Sequence, residues 1–227
     1  MRPWPFDLAP QDGWVPVQGQ PLAVLVGLTG AGKTTLARAL GLPTLPNRRE
    51  LTDRFILGEK VADRAERFRR VAAWKKAHPG GVAELLARGF APPAERLLFD
   101  GLRGEEELRY ALDHLPKARF LVLELSNEAR LFRLLKRKDA FDQARAEEDL
   151  FALAAGVVPR EAVEAALRLA PAKEVRRALK IVAEEAKNYD PEAPRRVLGA
   201  SSRARFLDAG RPIEALVAEA RAFLEGA

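Results

Sequence analysis

The chain has 227 residues, of which 48% are hydrophobic and 31% are charged, and this length suits one α/β domain with room for an inserted subdomain. The absence of cysteine excludes a disulfide framework, a thiolate metal site and a cysteine nucleophile, and two histidines alone argue against a zinc site. A formal charge of +6 admits nucleic acid as a partner but does not favour it, because the interspersed acidic residues fit an arginine-rich solvated surface better.

No segment of the sequence indicates a membrane or an export signal. The first residues lack the basic start and apolar run of a signal peptide, and no apolar stretch reaches the roughly 18 residues that a membrane span requires. We therefore expect a cytoplasmic protein without a membrane partner. The sequence carries no signal for an oligomeric state.

Short apolar runs alternate with amphipathic stretches along most of the chain, a pattern that predicts a parallel sheet covered by helices. Residues 1–20 hold several proline, glycine and polar residues without periodicity, and we expect an extended arm there. The predicted strands are Leu22–Val26, Leu97–Asp100, Phe120–Leu125 and Arg205–Leu207, with a turn or a further short strand at Pro43–Pro46. The predicted helices are Lys33–Leu40, Glu59–Ala77, Val82–Arg88, Glu105–His114, Glu128–Lys138 with Asn127 as its cap, and Pro212–Leu224.

The stretch before the last predicted strand has a different composition. Residues Asp139–Lys187 are rich in alanine, glutamate and arginine with few strand-forming residues, and they predict two to four helices. Pro159 and Pro171 are expected at helix starts, where a missing backbone N–H is tolerated. Asn188–Ser202 is expected to be irregular. A helical block is therefore inserted before the last strand–helix unit.

The segment Gly27–Thr34 matches the pattern G-x-x-x-x-G-K-[ST] and lies between a predicted strand and a predicted helix. In such a loop the glycines let backbone N–H groups point at phosphate oxygens, and the following helix adds its positive N-terminal end. Lys33 can reach the β- and γ-phosphates, and Thr34 offers a hydroxyl to Mg²⁺. The predicted nucleotide-contacting residues are Gly27, Thr29, Gly30, Ala31, Gly32, Lys33, Thr34 and Thr35, of which Thr35 contacts the α-phosphate or only packs. The absence of an Asn-Lys-x-Asp guanine motif favours ATP.

An acidic residue, Asp100, ends the predicted strand Leu97–Asp100. Phosphoryl transfer requires Mg²⁺, which an acidic residue at a strand end commonly helps to hold, so Asp100 is predicted to bind the metal together with Thr34. The alternative is an aspartate that only opens a turn with Gly101. Glu124, within a later strand, is either a buried partner or a base that positions water.

Two further motifs resemble a known family. The turn Asp100-Gly101-Leu102-Arg103 is similar to the Asp-Gly turn of adenylate-kinase-like and dephospho-coenzyme-A-kinase-like proteins, although adenylate kinases have one more residue before the arginine. The segment Arg133–Arg137 resembles their Arg-Leu-x-x-Arg helix. With the phosphate loop, these motifs resemble P-loop NTPases of the nucleoside monophosphate kinase-like family over residues 21–138 and 204–225.

This resemblance implies an α/β fold of the three-layer P-loop NTPase type, with a parallel sheet of about five strands and a helical lid-like insertion. It divides the chain into an arm at 1–20, a kinase-like core at 21–138 and 203–227, and the insertion at 139–202. The implied function is a kinase that transfers the γ-phosphoryl of Mg-ATP to a small acceptor, either nucleotide-like or phosphorylated.

The same resemblance assigns roles to arginines. Arg103 would contact the acceptor's phosphate, Arg133 the base or the triphosphate, and Arg137 the transferred phosphate. Together with Lys33 and Asp100 they form the predicted catalytic set, in which the positively charged side chains would stabilise the negative charge of the transition state. The alternative for Arg133 and Arg137 is one solvated helix face.

The acceptor side departs from the family pattern, because the Thr-Gly turn of adenylate kinases is missing after the first helix. Arg48 and Arg49 could instead hold an anionic substrate, with Asp53 as the base for a hydroxyl acceptor. A charged helix start capped by Asn47 or Thr52 explains the same residues without a substrate.

The sequence is also consistent with a second function, that of an ATPase or ATP-dependent switch whose helical insertion binds a macromolecular partner. Its basic face would be formed by Arg176, Arg177, Lys180 and Lys187. A solvated helix face accounts for these residues as well.

Overall fold

The computed structural model describes residues 5–59, 61, 64–136 and 149–226. Its strands are β1 (Val15–Pro16), β2 (Leu22–Val26), β3 (Phe90–Ala91), β4 (Leu97–Leu102), β5 (Ala118–Glu124) and β6 (Ala204–Asp208). Its helices are α1 (Lys33–Leu40), α2 (Arg48–Leu51), α3 (Arg64–Ala77), α4 (Gly81–Arg88), α5 (Glu105–His114), α6 (Asn127–Leu135), α7 (Leu150–Ala154), α8 (Arg160–Leu169), α9 (Ala172–Asn188), α10 (Ala193–Leu198) and α11 (Ile213–Glu225). A π-helical segment, Thr52–Leu57, continues α2.

The larger sheet has the order β4, β2, β5, β6, and every neighbouring pair is parallel. The predicted parallel sheet is confirmed, with four strands rather than about five in the described part of the chain. The place of a fifth strand, beside β4, is taken by Thr44 alone, which forms an isolated parallel bridge to Leu98. Pro43 and Pro46 flank this bridge, and because proline cannot donate to a ladder the pairing stops there.

Helices cover both faces of this sheet. All five residues of β2 are buried, as expected for a strand whose two faces both meet helices. Because successive side chains of a strand point to opposite faces, Val24 and Phe99 join the apolar cluster shared with α4 and α5. Leu25 and Leu98 join the cluster on the other face, shared with α1 and α11. The predicted three-layer α/β architecture is therefore confirmed.

The N-terminal residues pack against this core. Strand β1 pairs with β3 in a small antiparallel sheet, and Asp7 bridges to Phe90. The side chain of Phe6 is fully buried and lies against Gly89, where a Cβ atom would come within 2.1 Å of the Phe6 ring. Residues 6–20 therefore contribute to the main apolar cluster.

Helices α6 to α9 share an apolar cluster of their own. Leu131 of α6 packs with Val163 of α8 and with Val175 and Val182 of α9. The three described helices between 149 and 188 agree with the expected two to four, and Pro159 and Pro171 directly precede α8 and α9. Among the helices that the structure describes, none combines the length and apolar character needed to cross a membrane.

Three predicted details were wrong. Asn188–Ser202 is not wholly irregular, because α10 forms there with Pro194 in its first turn, where proline is tolerated. The helix predicted from Glu59 begins at Arg64 in the structure, after a left-handed Gly58 ends the π-helical segment. Ser126, rather than Asn127, caps α6, because its hydroxyl accepts the backbone N–H of the residue three positions later.

A buried carboxylate on α5 joins three helices. Glu107 is 1% exposed and accepts two hydrogen bonds from the Arg48 guanidinium, at 2.5 and 2.7 Å. Lys75 of α3 lies 2.9 Å from the same carboxylate, and the backbone N–H of Arg103 donates to it at 3.1 Å. Burial by itself favours the protonated acid, but Arg48 and Lys75 outweigh burial and lower the pKa of Glu107 below its usual range.

Replacing Glu107 by alanine is expected to lower the free energy of unfolding by about 3 kcal/mol, because a half-buried Arg48 loses its counter-charge. Urea denaturation at neutral pH measures this loss. Glu106→Ala, an exposed neighbour on the same helix, is the matched control and should change stability by less than about 0.5 kcal/mol. Equal effects of the two variants would contradict the role given to Glu107.

The lowered pKa of Glu107 also predicts a pH dependence. Its stabilising contribution is complete above about pH 4.3, the ordinary value for glutamate, and is lost as the pH falls through the lower value of the folded state. Glu107→Gln should therefore lose less stability than the wild type between about pH 5 and pH 3. Unfolding curves at several pH values measure this difference, and parallel losses would count against it.

Candidate functional site

The segment between β2 and α1 forms a tight loop at the carboxyl edge of the sheet. Gly27 has a φ of +148°, and a Cβ atom there would lie 2.9 Å from the backbone oxygen of Leu123 on β5. Gly32 precedes α1 with a φ of +100°, in the left-handed region that favours glycine. The loop is thus held close to the neighbouring strand, and only glycine suits these two positions.

Lys33 lies inside this loop, at the first position of α1. Its side chain is 9% exposed, and its Nζ donates to the backbone oxygen of Leu28 at 3.2 Å and lies 4.0 Å from Asp100 Oδ1. Asp100 reaches this position because β4 runs parallel to β2, with Asp100 opposite Leu25. Thr34 and Thr35 are exposed in the first turn of α1. The fold therefore brings Lys33 and Asp100 together beside the loop.

A carboxylate from the helical insertion reaches the loop. Glu185, in the last turn of α9, accepts the backbone N–H of Thr29 at 2.9 Å and the Thr29 hydroxyl at 2.5 Å. It also accepts hydrogen bonds from Arg103, at 2.8 Å, and from Arg130. Glu185 is 8% exposed. Four donors from three parts of the chain therefore converge on one buried carboxylate.

Sequence reasoning missed Glu185, although the pattern of α9 carries a signal. The buried stripe of this helix runs through Val175, Ala178 and Val182, at steps of three and four residues. The next position of the stripe is Glu185, where an apolar residue is expected. A charged residue on the apolar face of a helix requires a partner, and this one finds its partners in the loop.

Arg130 of α6 was also missed, because the Arg-Leu-x-x-Arg motif begins one turn later, at Arg133. Its side chain is 1% exposed, its Nε donates to the Thr29 backbone oxygen at 2.9 Å, and it donates to Asn127 Oδ1 at 2.7 Å. Burial lowers the pKa of the Arg130 guanidinium, Glu185 opposes this change, and the like charge of Arg103 adds to it. Arg130 thus connects α6, the loop and the insertion.

Arg133 faces the opposite side of the loop. Its guanidinium donates to the backbone oxygen of Ala31 at 3.1 Å and to that of Ala209. It borders a pocket of about 260 Å³ between the loop and the start of α11. This smaller pocket is lined by Gly30, Ala31, Gly32, Thr35, Arg133, Arg211, Ile213 and Leu216. Arg137, the other predicted arginine of this helix, lies outside the described residues.

A larger pocket of about 620 Å³ opens at the carboxyl ends of the parallel strands, where open α/β sheets bind their ligands. Its lining includes Leu28, Leu102 and Val122 as an apolar floor, with Arg103 and Arg130 at one side. The segment between α9 and α10 also lines the pocket, with Tyr189 beside Arg103, and so does Glu124. Glu124 accepts hydrogen bonds from Arg195 at 2.8 and 2.5 Å.

Other predicted acceptor-binding residues lie apart from both pockets. Arg48 is engaged by Glu107, and Arg49 forms an ion pair with Asp53 across one turn, at 3.8 Å. None of Arg48, Arg49 and Asp53 lines either of the two pockets, whereas Arg103 lines the larger one. Of this predicted set, the geometry therefore places Arg103 alone at a cavity beside the loop.

A parallel sheet whose first strand–loop–helix unit carries the Gly27–Thr34 sequence defines a P-loop fold. No protein-family model matches the chain. A UPF0200 protein from Methanoregula boonei is 43% identical over 54 residues, which cover 24% of this chain and only 30% of that relative's length.

Three solved structures that match the chain are described as kinases. A sugar kinase from Janibacter sp. is 17% identical with a TM-score of 0.44, over 91% of this chain and 95% of that one. Shikimate kinase from Aquifex aeolicus is 17% identical with a TM-score of 0.41, over 90% and 96%. Deoxyadenosine kinase from M. mycoides is 13% identical with a TM-score of 0.43, over 91% and 100%.

Arg130→Met should lower the free energy of unfolding by about 3 kcal/mol, because it leaves the buried Glu185 without one of its two guanidinium partners. Denaturation of Arg130→Met, Glu185→Gln and the double variant forms a cycle, and the double variant should lose at least about 1 kcal/mol less than the sum of the two single losses. Arg168→Met, at an exposed position on α8, is the control. Additive losses would show that the buried pair contributes no coupling.

Proposed function

We propose that the protein is an ATP-dependent kinase that passes the γ-phosphoryl group of Mg-ATP to a small acceptor in the cytoplasm. The observation that carries this proposal is the position of the phosphate loop between two pockets, since Ala31 lines both of them. A nucleotide whose phosphates follow the loop would have its base in the pocket on one side of the loop and its γ-phosphoryl group toward the pocket on the other side. This arrangement suits transfer of the γ-phosphoryl group to a second bound molecule better than its transfer to water.

The smaller pocket is proposed to receive the base and ribose of ATP. Arg133 and Arg211 border it, and planar guanidinium groups stack readily on aromatic rings. The phosphates would lie along the loop, where the N-terminal end of α1 and Lys33 favour negative charge. Thr35 lines the same pocket and would contact the α-phosphate from there.

Mg²⁺ is proposed to bind between the phosphates, the Thr34 hydroxyl and the Asp100 carboxylate. Both are hard oxygen donors, which this ion prefers, and Mg²⁺ commonly takes only one or two protein ligands beside phosphate oxygens and water. The bound ion would neutralise charge on the β- and γ-phosphates.

The chain's own contribution to catalysis is electrostatic. The transition state of phosphoryl transfer spreads negative charge over the transferred group, and positively charged side chains already in position stabilise it. Lys33 approaches from α1, and Arg103 from the turn after β4, where its guanidinium lies 3.3 Å from the Thr29 hydroxyl. Arg103 also borders the larger pocket, so it can contact donor and acceptor together.

The acceptor is proposed to occupy the larger pocket. Its volume of about 620 Å³ lies in the range of small-molecule sites, and its apolar floor with a few polar groups at the side is typical of them. An anionic group of a nucleotide-like or phosphorylated acceptor would meet Arg103, while its uncharged part would cover the apolar floor. Glu124 and Tyr189, which also line the pocket, offer further hydrogen-bonding groups.

ADP release from Mg-ATP, measured with a panel of nucleoside monophosphates, nucleosides and small hydroxyl metabolites, tests the proposal. One acceptor should raise the rate about a hundredfold or more, equivalent to about 2.7 kcal/mol of barrier. Lys33→Ala should abolish that increase, whereas Lys117→Ala, an exposed lysine at the amino edge of the sheet, should retain it. Slow ADP release that is indifferent to every acceptor would instead favour an ATPase or ATP-dependent switch.

Narrowing one pocket at a time should change the KM of one substrate and leave the KM of the other nearly unchanged. Ala129→Trp narrows the larger pocket and should raise the KM of the acceptor about tenfold, with little change in the KM of ATP. Ile213→Trp narrows the smaller pocket and should have the reverse effect. Steady-state kinetics with each substrate varied in turn provide the measurement. If both variants raise the same KM, the assignment of the pockets is wrong.

A further inference from the structure

The donors around Glu185 resemble a site for an anionic group. The Thr29 backbone N–H, the Thr29 hydroxyl and the guanidinium groups of Arg103 and Arg130 all point at the same two carboxylate oxygens. Phosphoryl oxygens accept hydrogen bonds from the same kinds of donor, and paired arginines with a loop N–H are typical of phosphate recognition. The Glu185 carboxylate therefore stands where a phosphoryl group would be recognised.

The site requires an anion at all times. Arg130 is 1% exposed, and its other acceptors are neutral oxygens, from Thr29 and Asn127. Removing the Glu185 carboxylate without replacement would leave a buried positive charge uncompensated, which is strongly unfavourable. One anion can therefore leave this position only when another takes its place.

The position also lies on the path of the transferred group. Thr29 belongs to the phosphate loop, and Arg103 and Arg130 line the larger pocket. A carboxylate at this point repels a phosphoryl group that approaches from either side. Glu185 and a phosphoryl group therefore compete for the same donors.

We propose that Thr29, Arg103 and Arg130 form a phosphoryl-binding subsite, and that Glu185 is its internal occupant in the nucleotide-free protein. This inference rests on the proposed kinase function and adds a regulatory step to it. The γ-phosphoryl group of ATP or a phosphoryl group of the acceptor displaces the Glu185 carboxylate. Binding of substrate is thereby coupled to movement of the last turn of α9, at the end of the helical insertion.

The construction of α9 allows such movement. Glu185 lies three residues before the helix ends at Asn188, whereas the residues that anchor α9 in its apolar cluster, such as Val175 and Val182, lie earlier. Tyr189, just past the helix end, has its ring 5.8 Å from the Arg103 guanidinium. The last turn can therefore move away from the loop while the rest of α9 stays packed.

Titration calorimetry with Mg-ATP and, separately, with inorganic phosphate tests the inference on the full chain. Glu185→Gln keeps the shape of the side chain but removes its charge, and it should bind the competing ligand about tenfold or more tightly than the wild type, equivalent to about 1.4 kcal/mol. Glu174→Gln, at an exposed position on the same helix, makes the same chemical change away from the loop and should leave affinity unchanged. A gain for Mg-ATP alone assigns the subsite to the γ-phosphoryl group, and a gain for phosphate alone assigns it to the acceptor.

The outcomes distinguish this inference from the function on which it rests. If the wild type binds Mg-ATP, and Glu185→Gln binds Mg-ATP and phosphate no more tightly than the wild type does, Glu185 does not compete with a phosphoryl group. The inference is then overturned, while the kinase proposal stands. If neither protein binds Mg-ATP or phosphate, both proposals fail. Should Glu185→Gln not fold, amide hydrogen exchange of the wild type gives the answer. The last turn of α9 should exchange faster with Mg-ATP or phosphate bound, and unchanged exchange with both would overturn the inference.

Discussion

Arg103 is held from two sides by buried carboxylates, and this double attachment connects the core to the helical insertion. Its backbone N–H donates to Glu107 at 3.1 Å, and its guanidinium donates to Glu185 at 2.8 Å. Glu107 also pairs with Arg48 and Lys75, and Glu185 also pairs with Arg130, so each carboxylate lies between two positive charges that would be costly to bury without it. The turn after β4 is consequently fixed in position relative to α2, α5, α6 and α9.

The parallel sheet determines where this attachment lies. Because all strands of the larger sheet run in one direction, the loops that follow β2, β4, β5 and β6 meet at a single edge. The phosphate loop follows β2, Arg103 directly follows β4, and Ser126 caps α6 after β5. Residues far apart in the chain are thereby collected around one loop, with a pocket on each side of it. Such an arrangement suits the binding of two substrates in contact.

Local signals predicted several elements closely. Lys33–Leu40 and Glu105–His114 have the bounds expected from the sequence, because glycine precedes and follows the first and three acidic residues begin the second. Other elements depend on contacts that local patterns do not contain. Helix α10 has only six residues, too few for a clear periodicity, and is stabilised by burial of Leu198 in the main core. The cap of α6 was assigned one residue too late because Ser126 and its neighbour are both good capping residues.

The sequence by itself determined the phosphate loop and its setting between a strand and a helix, because glycine spacing and backbone conformation are local properties of eight successive residues. Only the tertiary structure decided what faces that loop. Glu185 is separated from Thr29 by 156 residues and Arg130 by 101, and no repeating pattern connects such distant positions. Likewise, the sequence predicted Arg48 as a substrate-binding residue beside Arg49. In the structure Arg48 instead pairs with the buried Glu107, which only the tertiary fold places next to it. Charge pairing of this kind depends on burial, and burial is a property of the assembled fold.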